Sequence, residues 1–393
     1  MGRIYAEAEL VIVAAAGSSS LYGLPGVSTR PRQAQRRVEL DTNVELIITT
    51  GPDTTLTRST WASRGWTHQE GYLATRRLVF TDYEVLYICD VGVYQESVQR
   101  PGIYRKNMFA GFPKDISEYR VSNFLVNYST RKLSSESDIL DACIGVLGKL
   151  VDYHFWGIVA VPISSSSTSR RLPLSLRWYN QHPCSRRGGF PTWSWIATTG
   201  PKQLSSPYNF HDRNFAAEIL TTDGLWMTAE RPVQSRYDTL LPGYGPTLRL
   251  TASFYTASLI TRLYEKPLVV FPQAGVIGDD TGIAFVLYLD TKLLDSVPLR
   301  TVKALHLESD MSINGKWSCR ESLSFVIFQP VGAHYRRIGL AFSACSILKK
   351  ASSCVDDTSF SSGEVTGLEN KIVSQYVTPH PDCRSDGEVI YVE

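Results

Sequence analysis

From Leu248 onward the chain places one β-branched or aromatic run after another: Leu248–Ser253, Leu268–Phe271, Ile283–Tyr288, Val302–Leu307, Leu323–Phe328, Arg337–Phe342 and Val389–Val392. No helical pattern of comparable strength separates them. Short runs of this kind form strands, and many in succession leave a sandwich or a distorted barrel as the options. The expected fold class is α+β, with an α/β region over 1–100, a helical and tryptophan-containing region over 101–200, and a β-rich, sandwich-like region over 201–393. A chain of 393 residues exceeds what one core usually organises, and 43% apolar residues supply material for more than one.

The first hundred residues alternate between strand and helix signals. Leu10–Ala16 is apolar throughout and suits a buried strand, and Arg3–Ala8 before it reads as the end of a helix. Gly23–Val27 is a turn, Val44–Thr49 a strand, Gly71–Arg77 a short helix, and Leu78–Thr81 with Glu84–Cys89 a hairpin. The clearest helix is predicted over Asp138–Asp152, where Ile139, Cys143, Ile144, Leu147 and Val151 share a face and Ser134 or Ser137 can cap. Ser164–Gly189, with its serine run and arginines, reads as a long surface loop, Arg186 and Arg187 being solvated there.

Several function classes are disfavoured. A net charge of +2 gives no field to draw the chain to nucleic acid or an acidic membrane. Seven scattered cysteines without a CxxC pair fit reduced thiols in the cytoplasm. The seven histidines lack metal-ligand spacing, and no GxSxG, GxxxxGK or GxGxxG element occurs, so neither a metal nor a cofactor is expected. Leu10–Gly17 resembles a signal-peptide core, but Glu7 and Glu9 precede it; position 6 is Ala6, unlike a myristoylation site; and no apolar run has the length of a membrane span.

The densest chemistry lies in Trp61-Ala62-Ser63-Arg64-Gly65-Trp66-Thr67-His68-Gln69-Glu70. Glu70 near tryptophans suits acid–base work if desolvated; Thr67 and Glu70 also have the T-x-x-E spacing of a helix capping box. Arg64 can clamp an anion, stack on Trp61 or Trp66, or pair with an internal acid. Trp61 and Trp66 read as core anchors, with stacking on a nucleotide base as the alternative.

The order of these stretches resembles the fungal heterokaryon-incompatibility (HET) domain proteins. Gly2–Ala15 is similar to that family's helix end and following strand, and Gly23–Val27 to its next loop. Trp61–Glu70 with Arg76–Thr81 is similar to the W-x-x-RGWT-x-QE segment and its strand. Tyr128–Leu147, Phe155-Trp156-Gly157 and Phe190-Pro191-Thr192-Trp193-Ser194-Trp195 look like the region downstream, and Tyr335–Gly339 is the best piece of the tail. The resemblance makes Trp61, Gly65, Trp66, Thr67, Gln69, Trp193 and Trp195 the structural motif residues, with Arg64 and Glu70 the polar groups of any functional surface. The family's early strands have no counterpart, so the chain is expected to begin partway through the domain. His68 stands where the family more often has an apolar or aromatic residue.

The resemblance implies fungal non-self recognition (allorecognition) and programmed cell death through an unknown protein partner. Two alternatives accompany it: a truncated, non-functional remnant, and an NAD or nucleotide hydrolase related to Toll/interleukin-1 receptor domains, which rests on fold-level analogy alone. The residues themselves carry no enzyme signature.

Overall fold

The structure is a computed structural model. It describes residues 1–27, 29–41, 44–48, 51–97, 118–151, 154–159, 176–204, 215–228, 244–260, 267–272, 281–291, 300–307, 317–318, 324–349, 376–377 and 384–393. They form two compact units, Met1–Leu150 and Val151–Glu393, rather than parting near residues 100 and 200.

In the first unit, α1 (Gly2–Glu7) leads into β1 (Val11–Ala14). A hairpin of β2 (Arg37–Asp41) and β3 (Val44–Ile47) follows, then α2 (Pro52–Thr57), α3 (Thr60–Ser63) and α4 (Thr67–Leu73). β4 (Arg76–Phe80), β5 (Val85–Cys89) and β6 (Val93–Gln95) complete a sheet of order β1-β4-β5-β6. β1 runs parallel to β4, which requires a crossover, and α2 to α4 lie within it. β4, β5 and β6 are antiparallel neighbours, and the β4–β5 pair is the hairpin predicted over Leu78–Cys89. Val11, Val13, Val79, Leu86 and Ile88 pack with Leu56 and Trp61 into one core, and Tyr5 and Ala8 lean on it.

The fully buried strand expected at Leu10–Ala16 is shorter and only half-buried. Val11 and Val13 face the core while Ile12 is 58% exposed. Side chains alternate across a strand, and only one face of β1 is covered.

The single helix expected over Asp138–Asp152 is broken. A 3₁₀ turn, Glu136–Ile139, precedes α6 (Ile144–Leu150), and α5 (Glu118–Ser129) lies before both. In an unbroken helix the Gly145 amide would bond to the Asp141 carbonyl. Here the Gln69 side chain occupies both: its Nε2 donates to Asp141 O (3.0 Å) and its Oε1 accepts from Gly145 N (3.2 Å). A side chain inserted into the ladder interrupts the helix. The Ser137 hydroxyl meets Ser135 and Asp138 instead of capping a helix.

The second unit opens with a hairpin, β7 (His154–Phe155) and β8 (Ile158–Val159), and a pair formed by β9 (Trp178–Asn180) and β10 (Lys202–Leu204). β11 (Ala216–Thr221) and β12 (Trp226–Thr228) follow. Then come β13 (Tyr244–Ile260), β14 (Leu268–Pro272), β15 (Thr281–Leu289), β16 (Arg300–His306), β17 (Trp317–Ser318), β18 (Ser324–Val331), β19 (His334–Lys349), β20 (Tyr376–Val377) and β21 (Arg384–Val392). Each predicted strand run after Leu248 falls within one of them to within a residue. Among the described residues β17 pairs only with β20.

The expected sandwich is corrected to a closed barrel. β13 pairs with β14, β14 with β15, β15 with β19, β19 with β18, β18 with β16, and β16 returns to β13, all antiparallel. β13 allows this because it is 17 residues long: its first part holds β11 and β21, and its last part holds β14 and β16. Register shifts where β15 and β18 pair with β19 bend the sheet, the extra residues lying on β19. Tyr255, Leu259, Val269, Phe285, Leu287, Val302, Phe325 and Ile327 fill the core, so the barrel is packed rather than open.

Candidate functional site

In the first unit the Trp61–Glu70 segment is a helix–turn–helix. The Ser59 hydroxyl accepts from Ala62 N (3.0 Å) and starts α3. The chain then runs beside residues 131–133: Gly65 N donates to Lys132 O and Lys132 N to Ser63 O, both at 2.7 Å. A Cβ on Gly65 would lie 2.4 Å from Leu133 Cδ2, so a larger residue here would have to displace the Leu133 side chain.

The capping box is overturned. Trp66, not Thr67, is the N-cap of α4, and no side chain caps that end. Thr67 is already helical, so its hydroxyl turns back and donates to the carbonyls of Trp61 and Arg64. Glu70 is thereby released from the helix end. Its Oε2 accepts from Trp61 Nε1 (2.9 Å) and its Oε1 from the Tyr5 hydroxyl (3.1 Å), linking α4 to α3 and α1. Burial and the Glu70 carboxylate raise the Tyr5 phenol above its usual value, and the Arg64 charge opposes them. The Arg64 side chain is exposed. Tyr5, bonded to Glu70, is a further member that sequence reasoning did not single out.

Trp61 is buried, whereas Trp66 is half-buried and donates from Nε1 to Asp138 Oδ2 (3.2 Å). Gln69 is buried and holds the helix break described above. Gln69→Ala is expected to cost about 1–3 kcal/mol by removing the partners of two backbone groups, measured by urea unfolding. A loss below about 0.5 kcal/mol would mean that the Asp141–Gly145 bond simply re-forms. Gly145 is constrained from two sides: its Cβ would lie 2.4 Å from Gln69 Oε1 and 3.0 Å from Gly2 Cα. Gly145→Ala is therefore expected to destabilise by about 1–3 kcal/mol through overpacking, and an unchanged midpoint would refute that contact.

His68 is buried among aromatic rings, with Tyr128 at 5.4 Å, Phe124 at 5.6 Å and Tyr72 at 6.0 Å between centroids. Burial, with the nearby Arg131 charge, drives its pKa well below the ordinary imidazole value. A neutral imidazole here packs as an aromatic.

In the second unit the tryptophans form a hub. Trp193 Nε1 donates to Pro246 O (2.8 Å), Trp195 Nε1 to Gly157 O (2.9 Å), and Trp178 Nε1 to Trp193 O (3.2 Å). Ser194 bonds to the Trp156 carbonyl. Trp156 and Gly157 both have positive φ, the conformation of a tight two-residue hairpin loop. The FWG and FPTWSW pieces, far apart in sequence, therefore meet as one structure.

Beside this hub lies a buried charge network that sequence reasoning missed. Arg337 pairs with Asp290, donates to the Trp178 carbonyl, and stacks over the Trp178 ring at 3.5 Å. Asn180 Nδ2 donates to Asp290 O (3.0 Å). Lys202, 1% exposed, donates to the carbonyls of Thr198 (3.0 Å), Thr199 (2.7 Å) and Gly200 (2.7 Å). Arg187 is buried and donates to the Ile196 and Thr198 carbonyls, and Arg186 to those of Ala197 and Phe190. The solvated Arg186–Arg187 loop is thus corrected at Arg187, where carbonyls replace water around the guanidinium, while Arg186 stays exposed. Residues 164–175 of the Ser164–Gly189 stretch lie outside the described residues. The one available signal was Arg337 within Tyr335–Gly339.

Burial pulls Lys202 down to about 7, the nearby Cys184 and Asp290 opposing and Arg187 and Arg337 assisting. The unfolded chain then holds a proton that the folded one releases, so stability rises as pH increases from about 7 toward the ordinary lysine range. Lys202→Met is expected to flatten that rise in denaturation midpoints measured at stepped pH; an unaltered slope would assign it elsewhere.

Among the described residues no three His, Cys, Asp or Glu side chains gather as a metal site, and no helix is long and apolar enough to cross a membrane.

Comparison with known proteins gives one finding. The family model for the heterokaryon incompatibility protein (HET) matches residues 1–70. The match ends on Glu70 and so includes the Trp61–Glu70 segment, while Trp193 and Trp195 lie outside it. No curated protein and no solved structure matches the chain.

Proposed function

We propose that this chain acts as a heterokaryon-incompatibility-type signalling protein, coupling non-self recognition to cell death in fungal cells through a protein partner. The observation that carries the reading is the HET match over residues 1–70. The site agrees with it: both Glu70 oxygens are engaged by Trp61 and Tyr5, which makes Glu70 a clamp between three helices rather than a group presented to a substrate.

The test is regulated expression of the full chain in a filamentous fungus, with Trp61→Ala and Glu70→Gln beside it. The parent should reduce viability. Trp61→Ala should abolish the effect by emptying a core position, while Glu70→Gln should cost about 1 kcal/mol and keep it. Cells left unharmed by a folded, expressed parent would sink the proposal and support a remnant. Loss of killing in Glu70→Gln at an unchanged melting temperature, with NAD consumed only by the parent, would favour the hydrolase.

A further inference from the structure

β2 and β3 form a separate two-stranded hairpin whose residues are all exposed. Val38 and Leu46 are cross-strand partners, and Val44 shares their face. These three are 46%, 51% and 50% exposed. The other face carries Arg37, Glu39 and Glu45. A lone two-stranded hairpin is marginally stable in water, and its open edges are templates for further pairing.

The outer edge of β2 has a defined hydrogen-bonding phase. Ile48 N donates to Arg36 O (2.9 Å), so Arg36 and Val38 turn their backbone groups toward β3. Arg37 and Glu39 turn theirs outward, where no described strand pairs with them. The strand is also polarised, basic at Arg36 and Arg37 and acidic at Glu39 and Asp41. Such a strand complements itself when a second copy lies antiparallel.

We propose that the outer edge of β2 pairs with β2 of a second copy of this chain, antiparallel about a two-fold axis through Val38. Arg37 then exchanges backbone hydrogen bonds with the other copy's Glu39 and faces its carboxylate, twice by symmetry. The two Val38 side chains meet on the axis, and the hairpins join as a four-stranded sheet. The contact between Arg37 and Glu45 (3.1 Å) is solvent-exposed and gives way or is shared at little cost.

The test is sedimentation of the full chain over a micromolar concentration series. The parent should show a monomer–dimer equilibrium. Arg37→Glu and Glu39→Arg should each weaken it about tenfold, since each sets two like-charged pairs opposite one another. The double variant R37E/E39R should restore the parent's affinity, although it too lacks the Arg37–Glu45 contact. All these positions are exposed, so circular dichroism should be unchanged. A parent that stays monomeric, a dimer indifferent to the single swaps, or a double variant that remains weak would overturn the proposal. Flotation of a monomeric parent with acidic phospholipid vesicles would also overturn it and assign the aliphatic face to a membrane.

Discussion

Asp290→Ala is expected to lower the stability of the second unit by about 3–5 kcal/mol, the range for breaking a buried ion pair from one side. Asp290 is buried, and the carboxylate is the partner of an Arg337 guanidinium that has no exposure to solvent. The pair sits at a junction. Arg337 also holds the Trp178 carbonyl, and its backbone amide donates to Thr192 Oγ1 (3.2 Å). Removing the carboxylate leaves a cation that burial already disfavours, its pKa lowered by desolvation. Urea unfolding followed by tryptophan fluorescence measures the loss. A double variant, Asp290→Ala with Arg337→Met, separates the cost of the orphaned charge from the worth of the pair, and it should recover much of the stability. A single-variant loss below about 1 kcal/mol would show that the guanidinium reaches water or other acceptors.

Trp193→Ala is expected to cost about 3–5 kcal/mol, the range for emptying a large aromatic site in a packed core. The side chain is 1% exposed, and its Nε1 satisfies Pro246 O at the start of β13. Trp193→Phe keeps most of the volume and loses that hydrogen bond, so about 1 kcal/mol is expected. The contrast between the two variants distinguishes packing from hydrogen bonding. Equal losses would mean that the Pro246 bond, not the ring, carries the effect.

The Trp61–Glu70 segment was legible because its physics is local. Gly65 lies against the Leu133 side chain, and Trp61 enters the core of its own unit. The T-x-x-E spacing misled for the same reason: it describes a helix end in isolation. Once Thr67 finds the Trp61 and Arg64 carbonyls, and Glu70 finds Tyr5 and Trp61, those partners replace the cap. The helix break at 140–143 has a similar origin. Its apolar periodicity is continuous, and only the arrival of Gln69, 72 residues earlier in the chain than Asp141, interrupts it.

By itself the sequence determined the strand-rich character of the C-terminal region, the β4–β5 hairpin and the positions of the tryptophans. Periodicity and side-chain shape are carried by neighbouring residues. Tertiary structure decided that the strands close into a barrel, because closure depends on β13 serving four neighbours, which no local pattern encodes. It likewise decided that Arg187, Lys202, Asp290 and Arg337 are buried. Charged residues read as solvated until backbone carbonyls and an opposing charge, brought from distant parts of the chain, replace the water around them.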